Sequence, residues 1–188
     1  MLLEQYIAES VDWLKGLPLQ DVRAAVDLLY QAAMQGRSIY LFGNGGSAST
    51  ASHFACDLGK NTYVNGTRLR AVALTDNMAM FSAYANDEGY ENVFSEQLRT
   101  LVVPGDVAVA ISGSGNSRNV LAAVEVARSA GALTIGITGM GGGKLAGLVE
   151  VAVVVPSDRM DQIEDAHLLL EHLMCEALRE RVDIAELG

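Results

Sequence analysis

The chain of 188 residues has only two cysteines, three prolines and 13 basic side chains against 23 acidic ones. Cys56 and Cys175 are too few and too far apart for a disulfide framework, and no paired CxxC spacing points to a cysteine metal site. The shortage of basic residues, a formal net charge of −10 with pI near 4.6, argues against nucleic-acid or anionic-membrane binding, because both draw most of their non-specific affinity from basic surface. No run approaches the ~18 apolar residues of a membrane span. The opening segment MLLEQYIAESVDWLKGL has no basic leader and is interrupted by Glu4, Glu9 and Asp12, so it reads as neither a signal nor a transit peptide. The cytoplasm is the expected compartment. No linker, repeat or low-complexity tract divides the sequence, and its length suits one domain over residues 1–188.

What is present is an α/β pattern. Leu2, Leu3, Tyr6, Ile7, Val11 and Leu14 recur at helical spacing, and Pro18 separates them from a second helical run over 19–34. After these N-terminal helices (1–36) come five short apolar runs rich in β-branched residues: SIYLFG (38–43), RAVALT (70–75), DVAVAIS (106–112), LTIGITG (133–139) and VEVAVVV (149–155). Alternating with segments of helical length, they predict a βαβαβαβαβ core over 37–156. Right-handed crossovers then give a three-layer α/β/α sandwich around a five-stranded parallel sheet. A C-terminal helix over 157–188 completes the domain. There Asp161, Glu164, Asp165, His167, Glu171 and His172 read either as a solvated acidic face, with Leu168, Leu169, Leu173, Met174 and Leu178 as the core face, or, if this helix converges with the one after GNGGS that carries His53, as a source of ligands for zinc or a similar divalent ion.

Ligands of such sheets bind beyond the carboxyl ends of the strands, and the glycines fall there. The loop GNGGSAS (43–49) holds Asn44, Gly45, Gly46 and Ser47 ahead of a helix expected near Ser47. Glycine backbone and a helix start suit an anion, though any strand-to-helix turn uses the same residues. The second loop, SGSGNS (112–117), repeats the chemistry with Ser112, Gly113, Ser114 and Ser117 before a helix at 117 or 118. Its hydroxyls and N–H groups suit a phosphomonoester; the alternative is a solvated Ser/Gly turn. Neither loop has the spacing of an NTPase P-loop or a dinucleotide fingerprint. His53 and Asp57 share one helical face and suit a shared metal, a base with its partner, or an ordinary surface pair. Asn86, Asp87 and Glu88 in YANDEGY form a polar cluster in an expected loop between helices.

GNGGSAS with HFA, then AND-x-GY, IS-x-SGNS, GGGKLAG and D-x-x-x-D-x-x-x-x-x-H (161–172), in that order, resembles the sugar isomerase (SIS) domain family over the whole chain. The resemblance implies a flavodoxin-like fold and a homotetramer with active sites between subunits. It further implies aldose–ketose isomerisation of sedoheptulose 7-phosphate to a D-glycero-heptose 7-phosphate in heptose biosynthesis. By motif, Asn44, Gly45, Gly46, Ser47, Asn86, Asp87, Asp161 and Glu164 would contact substrate. Ser112, Gly113, Ser114 and Ser117 would hold its phosphate. His53, Asp57, Glu164 and His172 would bind zinc or another divalent metal, with Asp57 as base and His172 as acid. Three positions depart from the family pattern: Asp57 replaces a usual Glu, Glu164 a usual Gln, and Gly113 a usual hydroxyl residue. Non-catalytic SIS domains that regulate replication initiation, and isomerases of other ketose phosphates, are the alternative readings.

Overall fold

The β-branched runs become strands. A computed structural model describes residues 2–64 and 66–186. Its strands are β1 (Ser38–Gly43), β2 (Tyr63–Val64), β3 (Thr67–Arg68), β4 (Arg70–Ala73), β5 (Val107–Ser112), β6 (Leu133–Thr138) and β7 (Val151–Val154). Five of them pair in parallel in the order β4-β1-β5-β6-β7, the flavodoxin-like order, while β2 and β3 form a separate antiparallel pair. The helices are α1 (Leu3–Lys15), α2 (Leu19–Met34), α3 (Gly46–Cys56), α4 (Met78–Asp87), α5 (Ser95–Leu101), α6 (Arg118–Ser129) and α7 (Met160–Glu186). None of the described helices is long and apolar enough to cross a membrane.

Side chains alternate across the sheet with a period of two, which produces two cores. Ile39, Leu41, Val107, Val109, Ile111, Ile135 and Ile137 join one cluster with Leu29 of α2, Phe54 of α3 and Leu170 of α7. Tyr40, Phe42, Ala108 and Ala110 join the other with Leu98 of α5 and Val124 of α6. That is the expected three-layer sandwich.

Three local expectations are corrected. No α-helix joins β6 to β7; two short 3₁₀ turns, Met140–Gly142 and Leu145–Gly147, do so instead. Gly141, Gly142 and Gly143 all have positive φ, which an α-helix cannot contain. Asn86 and Asp87 lie in the last turn of α4 rather than in a loop, which begins at Glu88 and Gly89. The phase of α7 also differs. Its buried line is Ile163, Ala166, Leu170, Met174 and Leu178, and His167 and Glu171 are buried beside it, whereas Leu168 and Leu173 are exposed. Leucine spacing does not give the face, because two ionisable residues take buried positions, His167 against Thr138 of β6 and Glu171 against His53 of α3.

Candidate functional site

The first loop leaves β1 at Gly43 and enters α3 at Gly46. Ser47 is buried against Gly43, where a Cβ on the glycine would stand 2.7 Å from that of Ser47. The Asn44 side chain exchanges two amide hydrogen bonds with Asn119 of α6, at 2.9 and 2.8 Å, and its Oδ1 accepts a third from the Tyr90 hydroxyl at 2.9 Å. These bonds tie the first loop to the first turn of α6. Gly43, Asn44, Gly45, Ser52, Thr75 and Tyr90 border a cleft of about 380 Å³ over the strand ends, and Ser52 donates a short hydrogen bond to Asp76 at its edge.

The second loop turns tightly at Ser112, whose carbonyl accepts from the Gly115 N–H at 3.0 Å. Ser112 Oγ and Ser117 Oγ stand 3.3 Å apart, and Ser114 Oγ accepts from the Asn116 N–H at 3.2 Å. Ser117 is the N-cap of α6, in extended conformation and with no capping bond from its hydroxyl. The glycine-rich segment braces the loop: Leu145 N–H donates to the Gly115 carbonyl at 3.0 Å, and Lys144 N–H to Asn116 Oδ1 at 3.2 Å. A Cβ on Gly115, at φ +64°, would overlap the Gly142 carbonyl, so two backbones meet where a side chain cannot fit. At Gly113 a Cβ would lie 2.5 Å from Met160 Sδ; Met160 fills the space that a hydroxyl residue would take.

The two helix starts are not equivalent. The Glu164 carboxylate lies across Gly46, where a Cβ would meet its oxygens at 2.6 and 2.8 Å, so an acid already faces the positive end of α3. No acidic residue occupies the first turn of α6.

The titratable group is assembled from α3 and α7. His53 and Asp57 project from the end of α3, which continues as a π-helical turn, Asp57–Asn61. Such turns widen the backbone by one residue and recur at functional sites. Asn61 Nδ2 donates to Asp57 Oδ1 at 2.9 Å, holding the carboxylate, and Thr62 Oγ1 donates to the Asp57 backbone carbonyl at 3.0 Å. From α7, His172 sets its ring edge-on to that of His53, with centroids 5.0 Å apart. Glu171 Oε1 stands 3.2 Å from His53 Nδ1 and 3.3 Å from His172 Nε2, while Asp57 Oδ2 is 3.9 Å from the Nε2 atom of each histidine. His53, Asp57, Glu171 and His172 each offer a ligand atom, all within 4.8 Å of one another.

Burial, reinforced by the Asp57 charge, pushes the Glu171 carboxyl up to about 8. Its side chain is 0% exposed, against 15% for Asp57, and neither oxygen makes a hydrogen bond. Beneath it, burial pushes the Cys175 thiol up to about 12, which keeps it protonated. His167, one turn before Glu171, is held neutral by burial, its pKa lowered to about 4. Two imidazoles and two carboxylates match the donors of a divalent-metal site, and neither buried Glu171 oxygen is taken up by a hydrogen bond.

Other expected site residues lie elsewhere. Glu164 is outside the four-residue group and lies at Gly46 instead; Glu171, read in the sequence as part of a solvated face, occupies the group. The i,i+4 relation to His167 and the adjacency to His172 were the available signals for it. Asp161 pairs with Arg159, which also bonds Glu9 at 2.7 Å, in a surface network. Asn86 donates to Asp87 at 2.6 Å on exposed surface. Asn119 and Tyr90 went unnoticed in the sequence because their partner, Asn44, is remote along the chain.

Residues 5–139 match the family model described as the SIS domain. The chain belongs to the SIS domain family. Within it, this SIS domain is 39% identical over 161 residues to a phosphoheptose isomerase of Geotalea daltonii, spanning 86% of this chain and 84% of the relative. It is 40% identical over 178 residues to a phosphoheptose isomerase of Paramagnetospirillum magneticum, covering 93% and 92%. The solved structure of the Neisseria gonorrhoeae phosphoheptose isomerase superposes with a TM-score of 0.87 at 37% identity over 94% of this SIS domain and 96% of that chain. A Vibrio vulnificus NanR protein complexed with ManNAc-6P shares the fold, with a TM-score of 0.68 at 18% identity, covering 98% of this chain and 67% of that one.

Proposed function

We propose that the chain isomerises sedoheptulose 7-phosphate to a D-glycero-heptose 7-phosphate. The observation that carries this reading is the convergence of His53, Asp57 and His172, from two separate helices, in a chain about 39% identical to phosphoheptose isomerases. A purely regulatory SIS domain has no need of such a group.

The phosphate goes to the second loop. Ser112, Ser114 and Ser117 supply hydroxyls, Gly113 and Gly115 let the backbone approach, and the α6 N-terminus carries no competing acid. At the first loop, Asn44, Gly45 and Gly46 with Glu164 meet the sugar hydroxyls, and Ser47 supports them from behind Gly43. Holding the phosphate fixes the far end of the sugar and places the reacting carbons. Asn86, Asp87 and Asp161, exposed in one chain, serve sites completed by a neighbouring subunit.

Ketose to aldose conversion moves one proton from C1 to C2 and another from the C1 hydroxyl to the C2 oxygen. Asp57 removes the C1 proton and returns it to C2, and His172 relays the proton between oxygens. Asp57 is suited to this because Asn61 holds its carboxylate and Thr62 its backbone carbonyl while 15% of the side chain stays exposed. A divalent cation, zinc or another, would be held by His53 and His172 with a neighbouring carboxylate, and would supply positive charge that favours the enediolate.

The homotetramer of the resemblance gains support from α1, where Leu3, Ile7, Val11 and Leu14 line an exposed apolar stripe, Leu3 being 80% exposed. Phosphorylated sugars as substrates suit a cytoplasmic enzyme. The reading is tested by supplying sedoheptulose 7-phosphate, with divalent metal, beside other ketose phosphates and measuring aldose formed. Aldose from the heptose supports it; aldose only from another ketose phosphate refutes the substrate.

A further inference from the structure

We infer that Glu171, and not Glu164, is the carboxylate that ligates the divalent cation with His53 and His172, leaving Asp57 free to act as the base. The inference rests on the metal-dependent isomerase reading above. Three observations carry it. Glu171 Oε1 is nearer to both imidazoles, at 3.2 and 3.3 Å, than Asp57 Oδ2 at 3.9 Å. Two ligands on zinc bonds of 2.0–2.1 Å at the tetrahedral angle stand about 3.3–3.4 Å apart, which the distances from Glu171 Oε1 to His53 Nδ1 and to His172 Nε2 approach and those from Asp57 Oδ2 do not. The Glu171 carboxyl is fully buried with both oxygens unbonded, an arrangement that is costly unless a cation takes them up. Asp57, in contrast, is anchored by Asn61 and is the more accessible carboxylate.

Glu164 has a different partner. Its oxygens lie over Gly46 at the start of α3, where the helix dipole and the first loop hold them. The exchange accounts for how a chain with the shorter Asp57 keeps a carboxylate ligand. The glutamate comes from the residue preceding His172 on α7 rather than from one two turns earlier.

The test uses cobalt(II) as the probe on chelator-treated full-length protein, read by titration calorimetry and by the visible ligand-field spectrum. Glu171→Gln should weaken cobalt binding by about 100-fold or more and change the spectrum, since even indirect supports of a metal site cost 10–100-fold. Adding cobalt should raise the melting temperature of Glu171→Gln by less than that of the wild type. Glu164→Gln should bind cobalt within about threefold of wild type with an unchanged spectrum. Asp57→Asn should retain the spectrum while losing turnover. A Glu171→Gln protein with wild-type cobalt affinity and spectrum overturns the inference, as does loss of cobalt in Glu164→Gln instead. A purely structural role for Glu171 would move the melting temperature and leave the cobalt spectrum alone. The isomerase reading fails separately, if the cobalt- or zinc-loaded wild type forms no aldose while binding metal through Glu171.

Discussion

Raising the pH of the metal-free protein should destabilise it over a narrow and calculable window. Glu171 titrates near 8 in the fold and near 4.5 in the unfolded chain, because burial disfavours its charge. Between those values the folded state binds the extra proton, so its contribution falls as pH rises. His167 works in the opposite sense: its pKa drops from 6.5 to about 4 on burial, so between 4 and 6.5 the unfolded chain binds the extra proton and stability rises with pH. From pH 4.5 to 6.5 the two slopes oppose and largely cancel. Above 6.5 only Glu171 remains, at about 1.4 kcal/mol per pH unit, and the window to pH 8 is worth about 2 kcal/mol. Cys175 enters only above pH 9. Urea denaturation at fixed protein concentration, with chelator, at pH 6.5, 7.2 and 8 measures the fall. Glu171→Gln should flatten it. Stability that stays level or rises from 6.5 to 8 in the wild type, or that falls as steeply in Glu171→Gln, would refute the burial argument.

Gly115→Ala should cost at least about 2 kcal/mol, from a left-handed backbone and overlap with the Gly142 carbonyl, and raise KM for a sugar phosphate more than it lowers kcat; melting and steady-state kinetics check both. Asp57→Asn and His172→Ala should each lower turnover by ~100-fold or more with phosphate affinity retained, as product-inhibition assays would show. Gly113→Ser should be tolerated within about 1 kcal/mol, because the flexible Met160 side chain yields the space; a loss comparable to that of Gly115→Ala in thermal melts would contradict the packing described. Ile7→Asp should reduce the assembly size in sedimentation velocity without unfolding the chain, since Ile7 is exposed within one chain.

The parts that were legible in the sequence are those set by local chemistry. Strands covered on both faces must be apolar throughout, so Ile39 to Phe42, Val107 to Ile111 and Leu133 to Ile137 announced themselves. Loops that need positive φ or a helix start carry Gly and Ser, so the two loops at the strand ends were visible, as was the His53–Asp57 pair at one turn's spacing. What escaped depends on remote packing. The α7 face could not be phased from leucines, because the sheet and α3 bury His167 and Glu171 while Leu168 and Leu173 stay exposed. The π-helical turn at Asp57 adds a residue that no periodicity reveals. The reciprocal Asn44–Asn119 amide pair joins residues 75 apart, and the acid over Gly46 comes from the far end of the chain. Motif order identified the family, yet the ligand set it implied differs at one carboxylate from the group that the fold brings together.

The most direct measurement of the central claim is product formation from sedoheptulose 7-phosphate, followed by NMR with the zinc- or cobalt-loaded protein in deuterated water. The expected result is an aldoheptose 7-phosphate, with solvent deuterium at C2 in those turnovers where the protonated Asp57 exchanges with solvent before returning a proton to carbon, and loss of product in Asp57→Asn. An inert wild-type protein that binds metal and is folded, or turnover unchanged in Asp57→Asn, would contradict it.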